Sequence, residues 1–312
     1  MNVLKELAIK GGKQKMRPIK IRNYKNKIIK YNEKGFYATQ NGKICSSYKI
    51  RMQEKKEEER EEKAAKLVRE KINKTLDQYK FEFNALELKD FTFAIQEMLT
   101  EPEFTFTKIG LEVVGMDPAN VLMLRRVVQY TKQKAIPPFK ILINANNLYA
   151  CMRRFISKSK KETVVLSFTK DKDQNIELNF KAEYGHFRIK SLPDYGDQRE
   201  QKIPELKYSS KIKLSKDVFK RNVELVSIAA DSGSFRIEEK KFVMVGDDDD
   251  HIFIKTKPIK ATGKDAKAKF SLEYLKKMRL EGVLKLEYNS DYPLKVSDEK
   301  GNWYILAPRV DN

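Results

Sequence analysis

Cysteine, histidine and tryptophan are nearly absent from this chain: of 312 residues, two are Cys, two His and one Trp. Cys45 and Cys151 fit two buried thiols in a reducing compartment, not a disulfide framework or a thiolate metal site. His186 and His251 have no Cys or His at ligand spacing, so no metal centre is expected. The run Asp247–Asp250 lacks the Gly and distal Glu of a calcium loop and reads as a solvated hairpin tip. No stretch approaches the ~18 apolar residues of a membrane span. The N-terminal MNVLKELAIKGGKQK also lacks the apolar core of a signal peptide. The expectation is an intracellular protein of cytoplasm, nucleoid or nucleus. Catalytic patterns are missing as well: there is no GxxxxGK[ST], no Ser/His/acid set and no interpretable carboxylate cluster. A non-enzyme without cofactors is therefore expected.

What the chain has in excess is positive charge, +20 in all. Residues 1–50 hold 13 Lys/Arg against 2 acids, which concentrates the excess in an N-terminal arm suited to nucleic acid or another anionic surface. Within that arm, RPIKIRNY, NKIIKYN, GFYAT and KICSSYKI read as short strands, with Asn41-Gly42 as a type I′ hairpin signal. Gln53–Gln78 follows as a helix dense in Glu, Lys, Ala and Arg with many i,i+4 opposite-charge pairs.

A different pattern begins at Tyr79. Strand YKFEFNAL leads into an amphipathic helix over Leu86–Thr100, and strands follow at Phe104–Ile109, Leu111–Met116, Val121–Val128 and Phe139–Ile143. A helix over Asn144–Ser157 and strands at Thr163–Thr169, Ile176–Ala182 and Phe187–Leu192 complete one set. A polar connector, Pro193–Pro204, precedes a second set in the same order. It has helices at Ser215–Ala230 and Ser271–Leu280, and strands at Tyr208–Leu214, Ser234–Glu238, Phe242–Gly246, His251–Lys257, near Ala268, Val283–Tyr288, Leu294–Val296 and Trp303–Leu306. Gly115 and Gly246 fall at equivalent strand ends. The expectation is an α+β chain of two tandem similar domains, 79–192 and 207–312, joined by a connector over 193–206 and preceded by a basic extension over 1–78.

Three segments of this repeat resemble the eukaryotic and archaeal DNA sliding clamps typified by proliferating cell nuclear antigen. GLEVVGMDPANVLMLRRVV (Gly110–Val128) is similar to the family's Gly-apolar strand, Met-Asp turn and following strand. IPELKY matches the Ile-Pro that ends the family's interdomain loop, and WYILAPRVDN matches its C-terminal Tyr-apolar-Leu-Ala-Pro-basic ending. The likeness spans about residues 79–312, and residues 1–78 have no counterpart. It implies a homotrimeric ring of six similar domains, with sheets outside and helices lining a hole around duplex DNA.

On that resemblance, the DNA-facing residues are Lys89 on the first helix, Arg153, Arg154 and Lys158 on the second, Lys216, Lys220 and Arg221 on the third, and Lys276, Lys277 and Arg279 on the fourth. They would make phosphate contacts without base readout. The first helix departs from the pattern, because Glu87, Asp90, Glu97 and Glu101 outweigh Lys89. Subunits would join through His186, Phe187, Arg188, Ile189 and Lys190 on one edge and His251, Ile252, Phe253, Ile254 and Lys255 on the other.

Polymerase, clamp loader, flap nuclease and ligase would insert short peptides into a groove lined by Met116, Asn120, Val121 and Met123. Ile203, Pro204, Tyr208, Pro293, Ile305, Leu306, Ala307 and Pro308 would complete it. Gln201, where the family usually has an apolar residue, and Asn120, often His there, point to an altered peptide preference. No membrane partner is expected. Two alternatives stay open: a monomeric or heteromeric clamp-like processivity or checkpoint subunit that holds DNA by its basic extension, and a basic RNA- or ribosome-binding protein.

Overall fold

The computed structural model describes residues 76–133, 138–156, 162–172, 175–193, 203–248 and 252–309, together with the backbone of four short strands between residues 21 and 46. Those four are β1 (Ile21–Tyr24), β2 (Lys27–Tyr31), β3 (Phe36–Ala38) and β4 (Ile44–Ser46), a small antiparallel meander in sequence order. They coincide with the four β-like pieces read from the sequence. The Asn41-Gly42 turn and residues 53–75 of the expected helix lie outside the described residues; the last part of that helix, Leu76–Gln78, is instead a turn of 3-10 helix.

The chain divides into two compact units, Met1–Asn73 and Lys74–Asn312. The second therefore starts a few residues before Tyr79, and Leu76 is already buried in it. Its first half runs β5 (Lys80–Asn84), α1 (Ala85–Gln96), β6 (Glu103–Phe106), β7 (Gly110–Met116), β8 (Leu122–Gln129), β9 (Lys132–Gln133) and β10 (Phe139–Leu142). It ends with α2 (Ala145–Phe155), β11 (Thr163–Lys170), β12 (Ile176–Ala182) and β13 (Gly185–Lys190). The second half repeats the order: β14 (Ser210–Ser215), α3 (Lys216–Val226), β15 (Ser232–Glu238), β16 (Lys241–Asp248), β17 (Ile252–Lys255), β18 (Ile259–Gly263) and β19 (Ala266–Ser271). Then come α4 (Leu272–Lys277), β20 (Val283–Tyr288), β21 (Leu294–Ser297) and β22 (Trp303–Leu306).

Strand pairing repeats with the order. β6 lies between β7 and β10 as β15 lies between β16 and β19; β7–β8 matches β16–β17, and the run β13-β12-β11-β5-β9 matches β22-β21-β20-β14-β18. All these pairs are antiparallel. Strands β9 and β18 were not expected from sequence. Lys132-Gln133 is too short to show a period, and Pro258 and Gly263 give β18 the composition of a loop.

Period-2 alternation sets the layers. In β14, Ser210, Ile212 and Leu214 are buried while Lys211 and Lys213 are exposed, so one sheet face meets the helices and the other meets water. Each half closes on a cluster of rings, Phe81, Phe106, Phe139 and Phe168 in the first and Phe235, Phe242, Phe270 and Tyr288 in the second.

Three helices start on side-chain caps. Asn84 accepts from Glu87 N at 3.1 Å, Asn144 from Asn147 N at 3.0 Å and Ser215 from Val218 N at 3.3 Å. All four helices are shorter than the sequence pattern implied, α4 spanning only six residues. The equivalence of Gly115 and Gly246 has a steric cause. A Cβ at Gly115 would lie 2.3 Å from Leu99 Cδ1, and one at Gly246 would lie 2.6 Å from the Val226 carbonyl oxygen. In each half the chain at the end of the first helix crosses this strand too closely for a side chain.

Candidate functional site

The helices pack as two pairs, α1 with α2 and α3 with α4, on the apolar side of the sheets. Of the expected DNA-facing residues, Arg153, Arg154, Lys220, Arg221 and Lys276 are exposed. Lys220 stands 3.9 Å from Glu224 in an exposed i,i+4 pair, which leaves its charge accessible. Lys158 lies outside the described residues. The others are half-buried and engaged within the chain. Lys216 meets Glu281 at 2.5 Å and Lys277 meets Glu273 at 2.5 Å, and the Lys277 hydrogen bond holds the Glu273 carboxyl below its usual range. Lys89 donates to the Ile156 carbonyl at 3.4 Å.

Arg279 has a structural use. Its guanidinium grips Glu97 at 3.1 and 3.3 Å and lies 4.7 Å from the centre of the Phe93 ring. The hydrogen bond to Glu97 raises the Arg279 pKa further. The acidity of the first helix is explained by the same joint. Glu97 and Glu87 reach across to Arg279 and Lys300 of the second half, at 3.1 and 3.4 Å, and Asp90 meets Arg126 at 3.2 Å. Arg126 is 4 % exposed and also donates to the Arg279 carbonyl. Thus Glu87 of α1 and Glu97 at its C-cap hold the two halves together, and Asp90 positions Arg126 at the joint.

The two halves also share backbone. β8 pairs antiparallel with β22 from Leu122↔Leu306 to Arg125↔Trp303, so one sheet runs across the joint. The ribbon Gly110–Val128 reaches this sheet through a turn organised by Asp117. That carboxylate is 5 % exposed and accepts from Val121 N at 2.8 Å, Leu122 N at 2.7 Å and the Tyr274 hydroxyl of α4 at 2.8 Å. The last bond pushes the Tyr274 pKa up to about 12. Asn120 completes the turn at φ 57°, the left-handed region that Asn tolerates.

On the outer face of this sheet Met123, Trp303 and Ile305 form an apolar cluster, with Val114, Met116 and Leu206 packed against it. The expected groove residues Met116, Met123 and Ile305 are therefore brought together. Val121, Tyr208, Pro293, Ala307 and Pro308 are half-buried, and Asn120, Ile203 and Pro204 are exposed. The Tyr208 ring packs edge-on to Tyr292 at 5.9 Å, and burial raises its pKa. Leu306 is fully buried on the opposite side of β22, so its side chain belongs to the core and not to the groove. Sequence reasoning missed Trp303, Val114 and Leu206. The period-2 rule applied from Ile305 and Met116 gives Trp303 and Val114 directly. Connector residues 194–202, including Gln201, lie outside the described residues.

Among the described strands of this unit β9, β10, β13, β17 and β19 each pair on one side only, and of these β13 and β17 are the equivalents of the paired β22 and β8. In β13, Phe187 and Ile189 turn inward, Phe187 stacking on Phe180 at 4.9 Å, while His186, Arg188 and Lys190 are exposed. In β17, Phe253 is 62 % and Ile252 41 % exposed, Ile254 is half-buried and Lys255 exposed. Exposed Ile228 at the end of α3 adds to the apolar surface of the second half. His251 lies outside the described residues. Among the described residues no group of His, Cys, Asp or Glu is placed to hold a metal ion, and no helix is long and apolar enough to cross a membrane.

No protein-family model matches the chain. Curated relatives do: it is 26% identical over 250 residues to the DNA polymerase sliding clamp of Nanoarchaeum equitans, covering 73% of this chain and 98% of that one. It is 28% identical over 253 residues to the clamp of Archaeoglobus fulgidus, covering 72% and 96%. Among solved structures, the A. fulgidus PCNA bound to the C-terminal region of FEN-1 superposes with a TM-score of 0.66 at 23% identity, over 75% of this chain and 99% of that one. A PCNA2–PCNA3 complex from Sulfolobus tokodaii gives a TM-score of 0.61 at 19% identity, over 74% and 100%. The chain thus resembles the archaeal DNA polymerase sliding clamps along their whole length and has the fold of PCNA.

Proposed function

We propose that this chain is a DNA sliding clamp, a processivity factor without catalytic activity that closes as a homotrimer around duplex DNA. The observation that carries this is the β8–β22 junction. β8 is the third strand after the first helix of its half, and β22 is the last strand of the other half. Their equivalents are β17 and β13, both of which are left as edges. Pairing β17 of one copy with β13 of the next repeats between chains the junction already made within one, and it covers Phe253.

Repetition of that step closes a ring whose inner wall is the helices. Arg153, Arg154, Lys220, Arg221 and Lys276 then meet phosphates weakly enough to slide, and the closed ring supplies retention. The cluster of Met123, Trp303 and Ile305 under the connector end receives the apolar and aromatic anchors of peptides from polymerase, clamp loader, flap nuclease and ligase.

Light scattering tests the assembly, with an expected mass three times the 36.5 kDa of one chain. Retention on circular but not linear DNA after loading tests the topology. A monomer at micromolar concentration that binds linear DNA tightly at physiological salt would overturn the ring. The basic extension adds phosphate contacts: removing residues 1–73, which spares buried Leu76, flattens the salt dependence of DNA binding and leaves the trimer intact. A truncated chain that fails to assemble would make the extension structural instead.

A further inference from the structure

The outer sheet of the second half carries a positive field that neither the helices nor the groove accounts for. Lys211 and Lys213 are exposed and alternate with buried Ser210, Ile212 and Leu214 of β14. Cross-strand register sets Lys213 beside Lys285 of β20, Lys241 of β16 beside Lys260 of β18, and Lys267 of β19 beside Arg236 of β15. Lys295 of β21 extends the field toward Trp303, 5.7 Å from its ring. Facing outward with them are three acids from the same strands, Glu238, Asp247 and Glu287. Glu287 is shared by Lys285 at 2.7 Å and Lys211 at 3.7 Å. Among the described residues, Lys213, Lys241, Lys260 and Lys267 have no ion-pair partner.

We propose that this outer sheet binds the phosphate backbone of a duplex DNA segment, on the face opposite the helices. The field is a lattice of flexible point charges, spaced ~4.8 Å between strands and ~6.7 Å along them, and its exposed aromatic, Phe253, stands apart from the lysines on the edge strand β17. A protein partner would bury an apolar centre ringed by polar groups, and this surface has none. A stacking platform for single strands would need several aromatic faces among the charges, and here there is only Phe253, at the edge that the proposed ring contact covers. Charge alone matches it to a polyanion whose contacts carry no sequence information. A clamp with such a surface holds one duplex through its ring and touches a second along its outside.

The test is the salt dependence of binding to a linear 30-bp duplex, measured with the full-length chain. The outer variant combines Lys213→Glu, Lys241→Glu and Lys260→Glu; a control of equal charge combines Lys132→Glu, Lys140→Glu and Lys181→Glu on the first half. Each lost phosphate contact lowers the slope of log affinity against log salt by about 0.9, so the outer variant drops it by roughly 2–3. The control should drop it by less than half as much.

Replacing the same three outer lysines with Gln gives a milder variant that must move the same way, which guards against a folding defect in the Glu form. Equal loss in outer and control variants would overturn the proposal, as would an unchanged slope. So would a poly-glutamate peptide that binds the chain as tightly as the duplex, since the partner would then be an acidic protein. An inner variant of Arg153→Glu, Arg154→Glu and Arg221→Glu separates this surface from the ring: it loses retention on circular DNA, which the outer variant keeps.

Discussion

The two halves of the folded unit share one order of strands and helices but treat charge in opposite ways. Five strand bases of the first half have an acid beside them: Arg125 meets Glu112 at 2.6 Å, Lys140 meets Glu103 at 2.8 Å and Lys190 meets Asp171 at 3.0 Å. Arg188 meets Glu177 at 3.5 Å and Lys132 meets Glu82 at 3.8 Å. The second half leaves Lys213, Lys241, Lys260 and Lys267 without such partners. The helices diverge as well: α1 commits its carboxylates to the joint, whereas the equivalent α3 exposes Lys220 and Arg221. The lesson is that apolar alternation fixes a repeated fold, while the exposed positions of the same strands are free to take separate roles.

The largest expected effect breaks the contact of α1 with the joint, through Arg126 of β8. Arg126→Ala removes a buried guanidinium from Asp90 and the Arg279 carbonyl and should cost about 2–4 kcal/mol in chemical denaturation. A loss below about 0.5 kcal/mol would show that Arg126 is not needed there. Next comes the edge that the second half leaves open. Phe253→Asp should weaken association by about 2 kcal/mol or more, ~30-fold, and shift the light-scattering mass to the monomer. An unaffected trimer would move the interface elsewhere.

Smaller again is Val121→Asp, at the turn side of the groove. It should weaken binding of a client peptide by about 1.4 kcal/mol or more, tenfold, by calorimetry, with the ring intact. The smallest change makes the first half resemble the second. Glu82→Gln, Glu103→Gln and Glu177→Gln together should alter stability by no more than ~1 kcal/mol per pair, because the basic partner in each pair is exposed. They should also steepen the salt dependence of DNA binding. A steeper slope would confirm that pairing is what silences the outer face of the first half.

Legibility followed the strength of local pattern. The four helices were legible from their local residue pattern, and the structure adds Asn84, Asn144 and Ser215 as caps for three of them. Strand β18 was missed because Pro258 and Gly263 mimic a loop, and its place is decided by pairing with β14 and β16. In the groove, Met116, Met123 and Ile305 were identified, but Trp303 was overlooked although it alternates with Ile305. Arg279 was read as a DNA-facing residue of the fourth helix; its engagement with Glu97, a partner 182 residues away, has no local signal.

The sequence by itself determined the duplication, since order and alternation are properties of neighbouring residues and survive without knowledge of the partner strand. It also determined the basic character of the extension and of three helices, and the equivalence of Gly115 and Gly246, whose steric cause the structure supplied. Only the tertiary structure decided which charges remain available. Whether a lysine meets a phosphate or a glutamate depends on strands and helices that lie far apart in the chain. For the same reason, only the assembled sheet showed that β8 pairs with β22 and leaves β13 and β17 as edges.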